Sequence, residues 1–203
     1  DDAAALTAAG QHIHDVVFPK AAFDDTTRAA QRDALTATDR AQPAIGLMSL
    51  SLLAMLEAVG VSPAAVAGHS FGEVIALCAA GAIDAAAARS IAFERGRLMA
   101  QAAASSEGSM LSVSAAIDAV QAALSDELAA ATIVIANHNG PRQVVLSGAV
   151  AAIAAAETKL QAAGMRTTRL EVATAFHSPI VAGAVEPFAA FLQQVAFVAP
   201  VTP

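Results

Sequence analysis

Gly68-His69-Ser70-Phe71-Gly72 fits the pattern G-x-S-x-G, and its setting decides how the whole chain is read. Upstream, Ala64–Gly68 is a short apolar run that reads as a strand. Downstream, Phe71–Ala80 reads as a helix closed by Gly81. A strand that passes at once into a helix needs a tight turn, and the glycines permit one. The serine hydroxyl is then pushed into the open above a helix N-terminus, where developing negative charge is favoured. The backbone N–H of Phe71 would face the oxyanion of a tetrahedral intermediate. A plainer reading stands beside this one. Ser70-x-x-Glu73 also fits a capping box, in which the serine only closes the helix end. A bare capping box does not need glycine at both 68 and 72.

Working outward, Ala41–Gly60 reads as a buried helix with Pro43 near its first turn and Gly60 past its end. Residues 1–40 are polar and mixed, with a loop-like patch at Phe18–Thr27. Asp84 has the place of an N-cap for a helix running to about Ala103. After Gly108 the pattern changes. Met110–Ala115, Thr132–Ala136, Gln143–Ser147 and Arg166–Val172 read as strands, with helices at Ile117–Ala130 and Ala149–Ala163. The order βαββαβ is that of a ferredoxin-like unit, here inserted between Ser70 and His177. Pro179–Val195 returns to helix, capped by Ser178.

Composition narrows the function classes. The chain has 203 residues, 56% of them hydrophobic, so a core is easily filled. A net charge of −7 without a Lys/Arg cluster argues against nucleic acid as a partner. Cys78 is the only cysteine, which rules out an internal disulfide or a Cys-based zinc site and fits a reducing cytoplasm. It lies in the apolar run Val74–Ile83 and reads as an inert core thiol. The uncharged stretches Ala41–Leu56 and Pro187–Pro203 read as too short for a membrane span, and no signal peptide is visible at the N-terminus.

A nucleophilic serine needs a base. His12 and His14 fall in the polar N-terminal region, His69 adjoins the serine and reads as orienting the turn, and His138 lies in the loop Asn137–Pro141. His177 follows an apolar strand and precedes a Ser-Pro helix start, a position from which active-site residues are presented. A histidine at a strand end can also be no more than a satisfied polar group.

Together these segments resemble the malonyl/acyl transferase domains of fatty acid and polyketide synthases. VAGHSFGEVIALCAAG, from Val66, resembles the family's nucleophile segment. Ala41-Gln42-Pro43-Ala44 resembles its Gln-Pro-Ala helix start, and Glu94-Arg95-Gly96-Arg97-Leu98-Met99 its Arg-Gly-x-x-Met helix. Asn137–Gly148 resembles its Asn-x-Pro-x-Gln-Val-Val-x-Ser-Gly hairpin, and Ala175-Phe176-His177-Ser178 the segment of its catalytic histidine. The resemblance implies an α/β fold with a hydrolase-like core and short parallel sheet over 1–107 and 174–203, plus a ferredoxin-like subdomain over 108–173.

It also implies roles. Ser70 would carry the acyl ester, His177 would be the general base and the Phe71 amide an oxyanion donor. Arg95 would hold the free carboxylate of malonate, a bidentate charge-assisted pair that an acetyl group cannot form; without the resemblance, Arg95 reads as a surface charge pairing with Glu94 or Glu73. Gln42, Phe176, His69 and Asn139 would contribute to substrate binding, with Phe176 crowding an α-branched acyl group. Malonyl-CoA and a phosphopantetheinyl acyl carrier protein would be the substrates. No metal or bound cofactor is expected, a ketosynthase would be a neighbour in the same polypeptide or complex, and neither nucleic acid nor membrane would be a partner. Family members begin with a Gly-Gln-Gly segment and continue past the region of Pro203; neither stretch is present, so the resemblance implies an excerpt of the domain.

Two rivals remain at this level. An α/β-hydrolase shares G-x-S-x-G and needs an acid between serine and histidine, for which Asp118 and Asp126 are in order. A non-catalytic domain of a megasynthase would also carry the fold.

Overall fold

In a computed structural model, residues 7–8, 11–104 and 107–203 are described. They fall into two compact units. One covers the chain to Leu98 together with Glu186–Pro203, and the other covers Met99–Val185.

In the first unit, β1 (Thr7–Ala8) pairs antiparallel with β2 (Gln11–His12). The short helix α1 (Ile13–Val17) buries Ile13 against Ala44, Leu47 and Phe93. Helix α2 (Asp25–Thr36) buries no residue at all. It starts because the Asp24 carboxylate accepts the Thr27 N–H at 2.7 Å, a side-chain N-cap. Helix α3 (Thr38–Ala58) follows after Ala37, then α4 (Gly72–Ala79). Helix α5 (Ala85–Ala103) begins as expected at Asp84, whose Oδ1 accepts the Ala87 N–H at 2.7 Å. Ile83, Ala88 and Ile91 gather Leu50, Val74, Phe188, Phe191 and Cys78 around them. Burial raises the Cys78 thiol pKa, as do Asp84 and Glu57, and the partly buried side chain packs against this cluster.

Two expectations fail in this unit. Ala64–Gly68 is not a strand, and among the described residues no two strands pair in parallel. A parallel strand exists only through a ladder with its neighbours. Here the Val66 N–H bonds instead to the Pro203 carbonyl at 2.8 Å, within a segment that is otherwise coil. Helix α3 starts three residues before Ala41, so Pro43 lies inside it, and its 21 residues are long and apolar enough to cross a membrane by length and composition. Its buried residues all fall in its first half; further along, Leu52, Met55 and Val59 stand out at 55%, 65% and 75% exposure. Packing against α1, α2 and α4 nonetheless makes it the central helix of its unit.

The second unit follows the βαββαβ order closely. Strand β3 (Gly108–Val113) is followed by α6 (Ile117–Ala123) and α7 (Ser125–Ala129), which the sequence reads as one helix but which break at Leu124. Then come β4 (Ile133–Gly140), β5 (Gln143–Ala149), α8 (Val150–Ala162) and β6 (Thr167–Arg169). The sheet order is β4-β5-β3-β6, antiparallel throughout. Leu111, Val113, Val144 and Leu146 line one face and meet Val120, Ile153, Ala156 and Leu160 of the helices, all fully buried. Each such aliphatic side chain contributes roughly 1.5–3 kcal/mol of burial free energy. On β5 both faces are buried, and the 3₁₀ helix Pro179–Ala184 packs against it before α9 (Val185–Leu192). The compact unit runs over Met99–Val185 and contains the 108–173 segment that the sequence reads as an insert.

Candidate active site

The turn between Val66 and α4 has the geometry that its glycines suggest, although only one of them is needed for it. Ser70 sits at φ 54°, in the left-handed region that side-chain-bearing residues avoid. A Cβ on Gly68 would lie 2.2 Å from both the Glu73 nitrogen and the Gly72 carbonyl carbon, so only glycine lets the incoming chain touch the first turn of α4. A Cβ on Gly72 would meet nothing within 4 Å. The capping-box reading does not describe this turn. An N-cap residue is extended, whereas Ser70 is left-handed, and the Glu73 N–H is taken by the Ser70 backbone carbonyl at 3.1 Å. The Phe71 ring is buried, and a Cβ on Gly46 of α3 would lie 3.3 Å from its tip. The aromatic ring thus anchors the turn while its backbone stays at the helix entrance.

Ser70 and its neighbours from Ala65 to Gly72 form one wall of an open cleft of about 750 Å³. Ile45 and Ser49 of α3 and Ile75 and Ala79 of α4 form the rest of its sides, so it is mainly apolar. His69 is exposed on the same turn.

A second grouping in this unit lies outside that lining. Arg95 on α5 donates from Nη1 to the Gln42 Oε1 of α3 at 2.6 Å. Gln42 is buried, at 6% exposure, and Arg95 is half-buried. Burial pulls the Arg95 guanidinium pKa down from its ordinary value, an effect that the nearby Glu73 carboxylate offsets in part. Neither carboxylate offered as a partner by the sequence takes it. Glu94 is held by Arg97 at 2.5 and 2.8 Å, and no ion pair joins Arg95 to Glu73 among the described residues. The link between Gln42 and Arg95 spans 53 positions and carries no local signal in the sequence.

The second unit holds the remaining candidates. His177 is exposed at φ 59°, in a turn where the Phe176 N–H bonds the Thr174 carbonyl at 3.1 Å. The Ser178 hydroxyl donates to the Ala175 carbonyl at 2.7 Å and accepts the Ile180 N–H at 3.3 Å, which makes Ser178 the cap that the sequence suggests. Fully buried Ala175 lies against the backbone of Gly108 at the start of β3. Phe176 is half-buried beside it. Asn139 and His138 are exposed on β4, which extends to Gly140 through register shifts and replaces the expected loop. Asp118 and Asp126 lie in the first turns of α6 and α7. Among the described residues no three of His, Cys, Asp and Glu converge as metal ligands would.

Comparison with known proteins gives the family. The family model described as the acyl transferase domain matches residues 3–203, and the chain belongs to that family. A phenolphthiocerol synthesis polyketide synthase type I of Mycobacterium marinum is 40% identical over 161 residues, 79% of this chain and 7% of that protein. Among solved structures, the acyltransferase domain of the iterative polyketide synthase in enediyne biosynthesis superposes with a TM-score of 0.76 at 34% identity, covering 82% of this chain and 44% of that one. The malonyl CoA-acyl carrier protein transacylase of Burkholderia pseudomallei gives 0.77 at 34% identity, covering 94% and 65%. The chain thus spans a small part of the synthases it matches and less than two thirds of these solved chains.

Proposed function

We propose that this chain transfers a malonyl group from CoA to the phosphopantetheine thiol of an acyl carrier protein, through an ester on Ser70. The observation that carries the reading is the left-handed Ser70, held on a turn that only Gly68 permits, at the entrance of α4. His177 supplies the base. It has the matching left-handed backbone and lies in the segment that resembles the family's histidine segment.

Ser70 Oγ attacks the thioester carbonyl while its proton passes to His177, and the Phe71 N–H holds the oxyanion. As the tetrahedral intermediate collapses, the CoA sulfur leaves with the proton from His177. The carrier thiol then gives its proton to His177, attacks the Ser70 ester and departs with the acyl group, restoring the serine. Arg95 receives the malonyl carboxylate, Phe176 crowds α-branched groups, and His69 and Asn139 complete the substrate contacts. The second unit is a ferredoxin-like subdomain, as its strand order suggests. A polyketide synthase setting is supported by relatives that are themselves polyketide synthases; a ketosynthase neighbour and a cytoplasmic location belong to the same proposal.

The test is intact mass recorded within seconds of mixing with malonyl-CoA or acetyl-CoA. A malonyl adduct should form and should vanish in Ser70→Ala. Arg95→Ala should lower malonyl loading relative to acetyl by about 10- to 100-fold, the loss of a hydrogen-bonded charge. Steady CoA release without an adduct would favour a hydrolase, and equal losses for both acyl groups would remove Arg95 from the carboxylate role.

A further inference from the structure

We propose that Gln42 is a positioning residue that fixes the Arg95 guanidinium with a neutral acceptor, leaving its positive charge for the carboxylate of the incoming acyl group. The inference rests on the reading of Arg95 given above and adds the reason why Arg95 is available.

A half-buried guanidinium would ordinarily be satisfied by a carboxylate of the protein, and such a pair would compete with substrate. The surroundings of Arg95 avoid this. Glu94, its neighbour in sequence, is engaged by Arg97 through two hydrogen bonds, and among the described residues no ion pair joins Arg95 to the nearby Glu73. Among the described residues, the group that accepts a hydrogen bond from Arg95 is the amide oxygen of Gln42, at 2.6 Å. An amide oxygen gives direction without neutralising charge.

Close packing surrounds the contact. Gln42 is buried on α3, at 6% exposure. At that crossing a Cβ on Gly96 would stand 2.8 Å from the Thr38 carbonyl oxygen and 3.2 Å from the Asp39 Cα, so the helices touch backbone to backbone. A glycine one position beyond Arg95 therefore draws the guanidinium onto the helix that carries Gln42, while Arg95 keeps part of its surface exposed.

The test measures binding of malonyl-CoA and acetyl-CoA by calorimetry in a Ser70→Ala background, so that no acyl transfer disturbs equilibrium. The quantity is the ratio of the two affinities. Gln42→Glu should collapse the preference for malonyl-CoA by about 10- to 100-fold, because a carboxylate of the protein then occupies the guanidinium. Gln42→Met, similar in volume but without the acceptor, should lower the ratio by a smaller factor, about 3- to 10-fold. Circular dichroism confirms that each variant folds, and if Gln42→Glu does not, Gln42→Met decides alone. A merely structural glutamine would weaken both ligands alike. An unchanged ratio in the folded variants, with Arg95→Ala still abolishing the preference, overturns the role of Gln42 alone. A parent protein that fails to bind malonyl-CoA more tightly than acetyl-CoA overturns the reading of Arg95 and the inference with it.

Discussion

The turns at Ser70 and His177 reach nearly the same backbone conformation, φ 54° and 59°, by different means. Each costs about 1–2 kcal/mol for a residue with a side chain. The Ser70 turn is held by backbone. Gly68 packs on the first turn of α4, and the N–H groups of Gly72, Glu73 and Val74 bond the carbonyls three residues back at 2.9–3.1 Å. The His177 turn is held by a side chain, the Ser178 hydroxyl bridging Ala175 and Ile180. A third residue, Ala131, has φ 53° with no site around it. It ends α7, with the Thr132 N–H returning to the Glu127 carbonyl at 3.1 Å, a helix stop that glycine would serve better. On the proposed reading, the same left-handed angle presents a reacting side chain at Ser70 and His177, and at Ala131 it only ends a helix.

The comparison can be broken at each place in turn. Gly68→Ala should have the largest effect, since its Cβ would meet backbone at 2.2 Å and no rotamer can relieve it. We expect destabilisation above roughly 4 kcal/mol and loss of acyl-enzyme formation, read by thermal denaturation and intact mass. A Gly68→Ala protein that loads normally would show that the turn yields. Ser178→Ala should cost about 1 kcal/mol, lowering Tm by about 2–4 °C and slowing loading without abolishing it. Ala131→Gly should raise stability by up to about 1 kcal/mol and leave loading unchanged. Destabilisation at Ala131 would mean that its methyl group packs usefully and that the strain is compensated.

How much of this could be read from the residues alone differs between the two units. In the second, short apolar runs along β3 and β5 meet helices whose apolar residues recur at helical spacing, so pattern and packing agree. In the first, Ala64–Gly68 has the composition of a strand but gains no ladder, because hydrogen bonding to neighbours lies beyond what local pattern records. Helix α2 escapes notice because it is polar overall and buries nothing, so its helical periodicity has few apolar residues to mark it; the cap at Asp24 is the local signal for its start. At the candidate site the motifs locate Ser70, Phe71 and His177 on turns, since glycine and Ser-Pro are local signals. They place Gln42 in the pocket in general terms, whereas its partner is Arg95, set by a helix crossing that no short motif encodes. Arg95 itself reads two ways from sequence, and the engagement of Glu94 by Arg97 removes one of the two acids it might have paired with.

The neutral contact between Gln42 and Arg95 has a genetic side. Codons for glutamine and glutamate differ by a single base. A chain with this arrangement stands one point mutation from tying up its own cation, and one reversion from releasing it. On the proposed role of Arg95, preference for a charged acyl group would be lost and regained in a lineage without any change at Arg95 or Ser70, and a survey that scored only those two positions would miss the switch.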